Sequence, residues 1–159
     1  MAPVWRFEFS INCAVPRDFA WSFWTDVRNW ALDADVESVS LNGPFVAGTL
    51  GHTIGRSAGL IEWRIAEVQP GRAAVLEFPA PGALAVFIWT FADSAAGSEI
   101  CQEANLSGPD AQATSKASDA HSNKAYQQAC ASYAKQWRLR IQGFRPTKEK
   151  ATASRSLFH

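Results

Sequence analysis

Between residues 36 and 106 the sequence breaks repeatedly into short β-type runs separated by turn-formers. The runs are Val36–Leu41, Thr49–Ile54, Leu60–Val68, Ala73–Phe78, Leu84–Phe91 and Glu99–Leu106. Between them stand NGP at 42–44, GRSAG at 55–59, QPGR at 69–72, PAPG at 79–82 and DSAAGS at 93–98. Gly, Pro, Asn, Asp and Ser are the residues that turn a chain. Connections this short join antiparallel neighbours, because a parallel crossover needs a dozen or more residues. The pattern predicts a six-stranded antiparallel meander.

The flanking segments complete the order. From Val4 to Ala14 polar residues (Arg6, Glu8, Ser10, Asn12) alternate with apolar ones (Trp5, Phe7, Phe9, Ile11, Cys13), the mark of a half-buried strand. Pro16 opens a helix with Asp18 in its first turn, where a carboxylate suits the helix dipole. Phe19, Phe23 and Val27, with Ala20 and Trp24, make its inner stripe, and Asp26 or Asn29 can cap a second short helix. After Gly108-Pro109-Asp110 a long helix runs towards Gly143 on the seam Tyr126, Cys130, Tyr133, Trp137, Ile141 and Phe144. Traced backwards, that seam turns polar through Asn123, Ser122, Asp119 and Ser115. Such a helix either covers a core with its apolar end and a cavity with its polar end, or lifts its first half into solvent.

A sheet with one apolar face cannot bury it alone, and the long helix is the element large enough to fill it. The expected class is α+β: a curved seven-stranded antiparallel sheet wrapped around a long C-terminal helix, with two short helices after the first strand. Glycines 48, 51, 55 and 59 are expected to permit the bending. At 159 residues the chain suits one domain, placed at 1–145, followed by a basic tail at 146–159 without periodicity.

Charge and cysteine usage exclude some roles. The formal net charge is zero, which argues against a broadly basic nucleic-acid binder. It is unevenly spread: thirteen acidic and six basic residues precede Ala111, two acidic and nine basic follow. An acidic body against a basic helix explains this within one domain; a basic tail meeting an acidic partner or membrane surface is the other reading. Cys13, Cys101 and Cys130 are scattered, which fits reduced thiols in a cytoplasmic protein. The start, MAPVWRFEFSINC, lacks a cationic segment before an apolar run, so no secretory signal is expected, and no apolar run approaches the ~20 residues of a spanning helix.

Five segments carry a family resemblance: WTDVRNWALD (24–33), LNGPFVAGTLG (41–51), GLIEWRIAEVQPGR (59–72), PGALAVF (81–87) and GSEICQEANLSGP (97–109). In this order, over Phe9 to Pro109, they resemble the START-like (SRPBCC) helix-grip superfamily, in particular its bacterial polyketide cyclase/dehydrase and lipid-transport branch. The resemblance implies a ligand cavity between sheet and helix, and Trp21, Trp24 and Trp30 on paired helices bracing the sheet. The chain departs from the pattern in places. Ala31 and Asp33 replace the Pro and second Trp of a W-P-x-W motif, while Trp89 and Gln102 stand where many relatives carry His on the sixth and seventh strands. Proton chemistry by those histidines therefore does not transfer, which shifts the expectation from catalysis towards binding.

Strand alternation then selects the inner face: Ile61, Trp63 and Ile65; Leu76 and Phe78; Phe87, Trp89 and Phe91; Ile100, Gln102, Ala104 and Leu106; and Thr53 beside Gly51. Glu62, Glu77, Glu99 and Glu103 fall on the other face, solvated, as does His52, so paired-carboxylate catalysis has little support. His52, His121 and His159 lack metal-ligand spacing, Gly43 to Gly48 lacks a phosphate-loop ending, there is no G-x-S-x-G, and no cysteine has an activating neighbour. No cofactor or metal is expected.

The leading expectation is binding of a small hydrophobic or aromatic molecule, lipid- or polyketide-like, in a cavity between sheet and C-terminal helix. Trp63, Phe78, Phe87, Trp89 and Tyr126 would form apolar walls, and Gln102, Thr53 and Asn123 would orient the ligand. Gln102 is the most informative, since an amide facing an apolar interior needs partners. A polyketide cyclase/dehydrase-type enzyme, with Gln102 as donor and Asp119 as helix-borne base, is the alternative. An accessory module acting through its basic tail is a third. Neither nucleic acid nor membrane insertion is expected, and a homodimer is left open.

Overall fold

The computed structural model describes residues 5–32, 36–56 and 59–111. The alternating runs become strands β1 (Trp5–Cys13), β2 (Val36–Leu41), β3 (Leu50–Gly55), β4 (Gly59–Gln69), β5 (Ala73–Ala80), β6 (Ala83–Ser94) and β7 (Gly97–Ser107). They form one antiparallel sheet in the order β1-β7-β6-β5-β4-β3-β2. The meander is thus as expected, and β1 returns to pair with its last strand.

Two hairpins are tighter than the sequence suggests. Pairing continues through Ala80↔Ala83 and Ser94↔Gly97, which leaves two residues in each turn. Gly82, in the first turn, adopts φ +66°, which an L side chain rarely does. Pro79 is tolerated inside β5 because the β4–β5 ladder already ends at Arg64↔Glu77, so no donor is demanded on that side.

Helix α1 (Arg17–Thr25) starts after Pro16, whose carbonyl accepts the Ala20 N–H at 3.0 Å, and carries Asp18 in its first turn. Asp26 ends it and caps a short 3-10 helix, Val27–Leu32, by accepting the Arg28 N–H at 3.3 Å. Asp26, rather than Asn29, is therefore the residue that starts this turn; the Asn29 amide donates to the Phe23 carbonyl at 2.8 Å and ties the two helices together.

The register buries the face the alternation selects. Trp63, Ile65, Leu76, Trp89, Phe91, Ile100 and Ala104 are all buried, joined by Ala20, Trp24, Val27 and Trp30 from the helices. Glu62, Arg64 and Glu67 project from the other side. Register shifts between Val36 and Ser38 in β2, and between Ile65 and Glu67 in β4, mark bulges, which bend a sheet and sharpen its twist.

Gly51 makes room for a neighbouring ring. It lies opposite Trp63, and a Cβ there would come within 2.3–2.5 Å of three indole carbons. Its missing side chain is the seat of the ring. The long C-terminal helix with Asp119, Asn123 and Tyr126, the boundary at 145 and the tail 146–159 lie outside the described residues.

Candidate functional site

The aromatic residues of the sequence meet on one side of the sheet. Trp24 is its hub, with ring centroids 5.6 Å from Trp30, 5.2 Å from Trp89, 5.4 Å from Phe91 and 5.4 Å from Phe45. Its packing explains why three tryptophans crowd a short segment: Trp24 and Trp30 are a wedge between helices and sheet. The Trp30 Nε1–H donates to the Trp24 carbonyl at 2.7 Å, so the buried indole has its partner. Trp21 packs at the wedge's rim, edge-on to Phe91 and to Phe45.

From the wedge a row of rings crosses the sheet. Trp30 stacks on Trp63 at 5.1 Å and 26°, Trp63 on Phe78 at 5.8 Å and 21°, and Phe78 meets Phe87 edge-on at 5.1 Å and 76°. Burial declines along this row. Trp63 is 1% exposed, whereas Phe78 and Phe87 are only half-buried. Three of the predicted wall residues are thus brought into direct contact, and their outer end is the accessible one.

Trp89 and Gln102 are direct cross-strand partners on β6 and β7. Trp89 leans against Trp24 and belongs to the wedge as much as to any pocket wall. Gln102 is 6% exposed, between Trp89 on one neighbouring strand and the backbone of Phe9 on the other. Its Oε1 is buried and has no hydrogen-bond partner among the described residues. An amide oxygen so placed costs roughly 1–3 kcal/mol of desolvation that no described residue offsets.

Thr53 is less closely associated. Its Oγ accepts the Trp63 Nε1–H at 2.9 Å, which fixes the indole over Gly51. Four strand spacings separate β3 from β7, roughly 19 Å along the sheet. Thr53 and Gln102 therefore stand at opposite ends of the aromatic row. Asn123 and Tyr126 fall outside the described residues. Trp30 and Gly51 escape a reading by strand alternation: one lies on a helix, and the other has no side chain to signal with.

Charge is segregated from this face. Arg64 pairs with Glu77 at 2.5 Å, Arg6 with Glu8 at 3.1 Å and Glu103 at 3.2 Å, and His52 lies 3.5 Å from Glu62, all on the opposite side. Glu62 is solvated there as expected, whereas Glu77 and Glu103, beside their arginine partners, keep only 20% and 28% of their side-chain exposure. At the hairpin end of the inner face Asp93 pairs with Arg17 at 3.4 Å. The titration shifts also lie away from the aromatic row. Hydrogen bonding to Arg28 holds the Asp26 carboxyl below its usual range, and burial, followed by Glu99, pushes the Cys101 thiol up. Among the described residues no three His, Cys, Asp or Glu side chains gather as a metal site, and no helix is long and apolar enough to cross a membrane.

No protein-family model and no curated protein matches the chain. Solved structures do. Ara h 8.0201 is 14% identical, with a TM-score of 0.65 over 88% of this chain and 96% of that one. Norcoclaurine synthase from Thalictrum flavum, solved with dopamine and hydroxybenzaldehyde, is 9% identical, with a TM-score of 0.65 over 90% and 89%. The di-domain ARO/CYC StfQ of the steffimycin biosynthetic pathway is 14% identical, with a TM-score of 0.65 over 92% of this chain and 52% of StfQ. At such identities the likeness is one of fold: the seven-stranded antiparallel sheet with paired short helices after β1 is the START-like helix-grip fold.

Proposed function

We propose that this protein binds a small hydrophobic or aromatic molecule against the inner face of its sheet, beneath the C-terminal helix. The observation that carries the reading is the row of rings ending in half-buried Phe78 and Phe87, with a Gln102 amide oxygen on the same face that has no partner among the described residues. Such sites are mostly apolar, with a few placed polar atoms that orient the guest. Structures of like fold include one solved with dopamine and hydroxybenzaldehyde and an ARO/CYC protein, which supports an aromatic or polyketide-like guest over a purely aliphatic one. The sequence offers Asn123 and Tyr126, outside the described residues, as further members of the proposed wall, and the scattered cysteines favour a cytoplasmic setting.

The cyclase reading draws on the likeness to StfQ. The described part of the aromatic row offers it no ionisable side chain to act as base, so binding is preferred. Native mass spectrometry after gentle purification, with a thermal-shift screen of lipids and aromatic compounds, tests the proposal. A retained small molecule or a dose-dependent rise in Tm is expected. No adduct and no shift across the library would refute it.

A further inference from the structure

Gln102 does more than mark the proposed site. Its Oε1 is a hydrogen-bond acceptor, buried and unpartnered among the described residues, on a side chain 6% exposed and directly opposite Trp89. A guest that brings an O–H or N–H to this oxygen removes an existing desolvation cost as well as forming a bond. A guest presenting only lone pairs there leaves the cost in place and sets two acceptors against each other. The surroundings add a second constraint. The ionisable side chains around the aromatic row, Arg6, Glu62, Arg64, Glu77 and Glu103, pair or project on the opposite face, and Asp93 at the hairpin end is held by Arg17. A carboxylate drawn onto this face would find these arginines already paired with Glu8, Glu77, Glu103 and Asp93, and an unpaired buried charge is strongly disfavoured. The rings set the shape. Trp30, Trp63 and Phe78 lie within 26° of parallel from one to the next, a stack that a flat ring system extends at its half-buried end.

We infer that Gln102 makes the site selective for neutral, flat aromatic molecules that carry a hydroxyl or N–H donor, and against their ethers and their carboxylic acids. This rests on the proposed binding function and names the chemistry of its guest. Gln102 acts as the specificity-determining residue, with its oxygen accepting the donor while the rings hold the apolar body.

Three probes with one skeleton separate the contributions: 2-naphthol, 2-methoxynaphthalene and 2-naphthoate, measured by equilibrium dialysis against the full chain at neutral pH. The naphthol is expected to bind about tenfold more tightly than the ether, the worth of one neutral hydrogen bond, and the naphthoate more weakly than either. In Gln102→Leu the naphthol and the ether should converge. Because the wild-type comparison needs no variant, a failure of Gln102→Leu to fold does not rescue the inference, and Gln102→Met, closer in length, serves as the second variant. Equal affinities for naphthol and ether, a preference for the ether or the naphthoate, or a naphthol preference surviving in both variants would overturn the selectivity while leaving the binding function standing. If none of the three probes binds, the selectivity is overturned, and the library screen alone decides the binding function.

Discussion

Gly51→Ala adds a single methyl group to a strand, where a surface position would register it by a few tenths of a kcal/mol. Here the new carbon would fall 2.3–2.5 Å from Cζ2, Cε2 and Cη2 of Trp63. Carbon atoms rest at about 3.5–4.0 Å, so the indole must withdraw by more than ~1 Å. It has little room to do so. Trp30 lies against one side at 5.1 Å, Phe78 stacks at 5.8 Å, and the Nε1–H is fixed to Thr53 at 2.9 Å. Overpacking of this kind costs about 1–3 kcal/mol, and a strained or broken buried indole hydrogen bond adds roughly 1 kcal/mol more. The expected destabilisation is therefore about 2–4 kcal/mol, read by urea denaturation followed by far-ultraviolet circular dichroism. Trp63→Phe in the same chain should relieve the collision. The double variant should then be more stable than the sum of the single effects by over ~1 kcal/mol. A Gly51→Ala protein within ~0.5 kcal/mol of wild type, or strict additivity in the cycle, would refute the account of Gly51 as the seat of the ring.

Two further outcomes follow from the titrating groups. Because Arg28 holds the Asp26 carboxyl below its ordinary range, the folded state binds that proton less readily than the unfolded one. The associated stabilisation is complete above the unfolded carboxylate pKa, near 3.9, and is lost as the pH falls through the lower folded value. Arg28→Ala should flatten this acid limb and leave the neutral-pH melting temperature nearly unchanged, as suits an exposed pair; a large loss at pH 7 would contradict it. The Cys101 thiol, raised first by burial and then by Glu99, should alkylate with iodoacetamide at pH 8 more slowly than an unfolded-chain cysteine. Glu99→Gln should speed the reaction, as read by peptide mass mapping, and equal rates in both proteins would remove the assigned role of Glu99.

Much of the sheet was legible because its two faces differ so sharply in chemistry. Glu62, Arg64 and Glu77 could not share a face with Trp63, Ile65 and Leu76, so period-two alternation separated the two faces, and the family resemblance marked the inner one. Strand ends were read less well. PAPG and DSAAGS look like loops in composition, yet cross-strand pairing reaches into both, since the hairpin needs only two residues to turn. The bulge after Ile65 left no signal, because Ala66 is neutral to either face. Contacts between elements were hidden for a different reason. The meeting of Trp63 with Gly51, Thr53 and Trp30 depends on strand register and on the docking angle of a helix, which no local pattern encodes. Gln102 was legible as an oddity, a polar residue in an apolar series; that its oxygen stands unpaired opposite Trp89 required the fold.

The crowding of indoles has an optical consequence. Trp89, Trp24, Trp30 and Trp63 form an unbroken series with centroids 5.2, 5.6 and 5.1 Å apart, close enough for their near-ultraviolet transitions to couple as excitons. The chromophores then absorb as a set whose handedness is fixed by the angles between rings, and replacing one member alters the spectrum of the others. The intensity of that dichroic band is therefore a gauge of whether helix and sheet are docked, readable without any label.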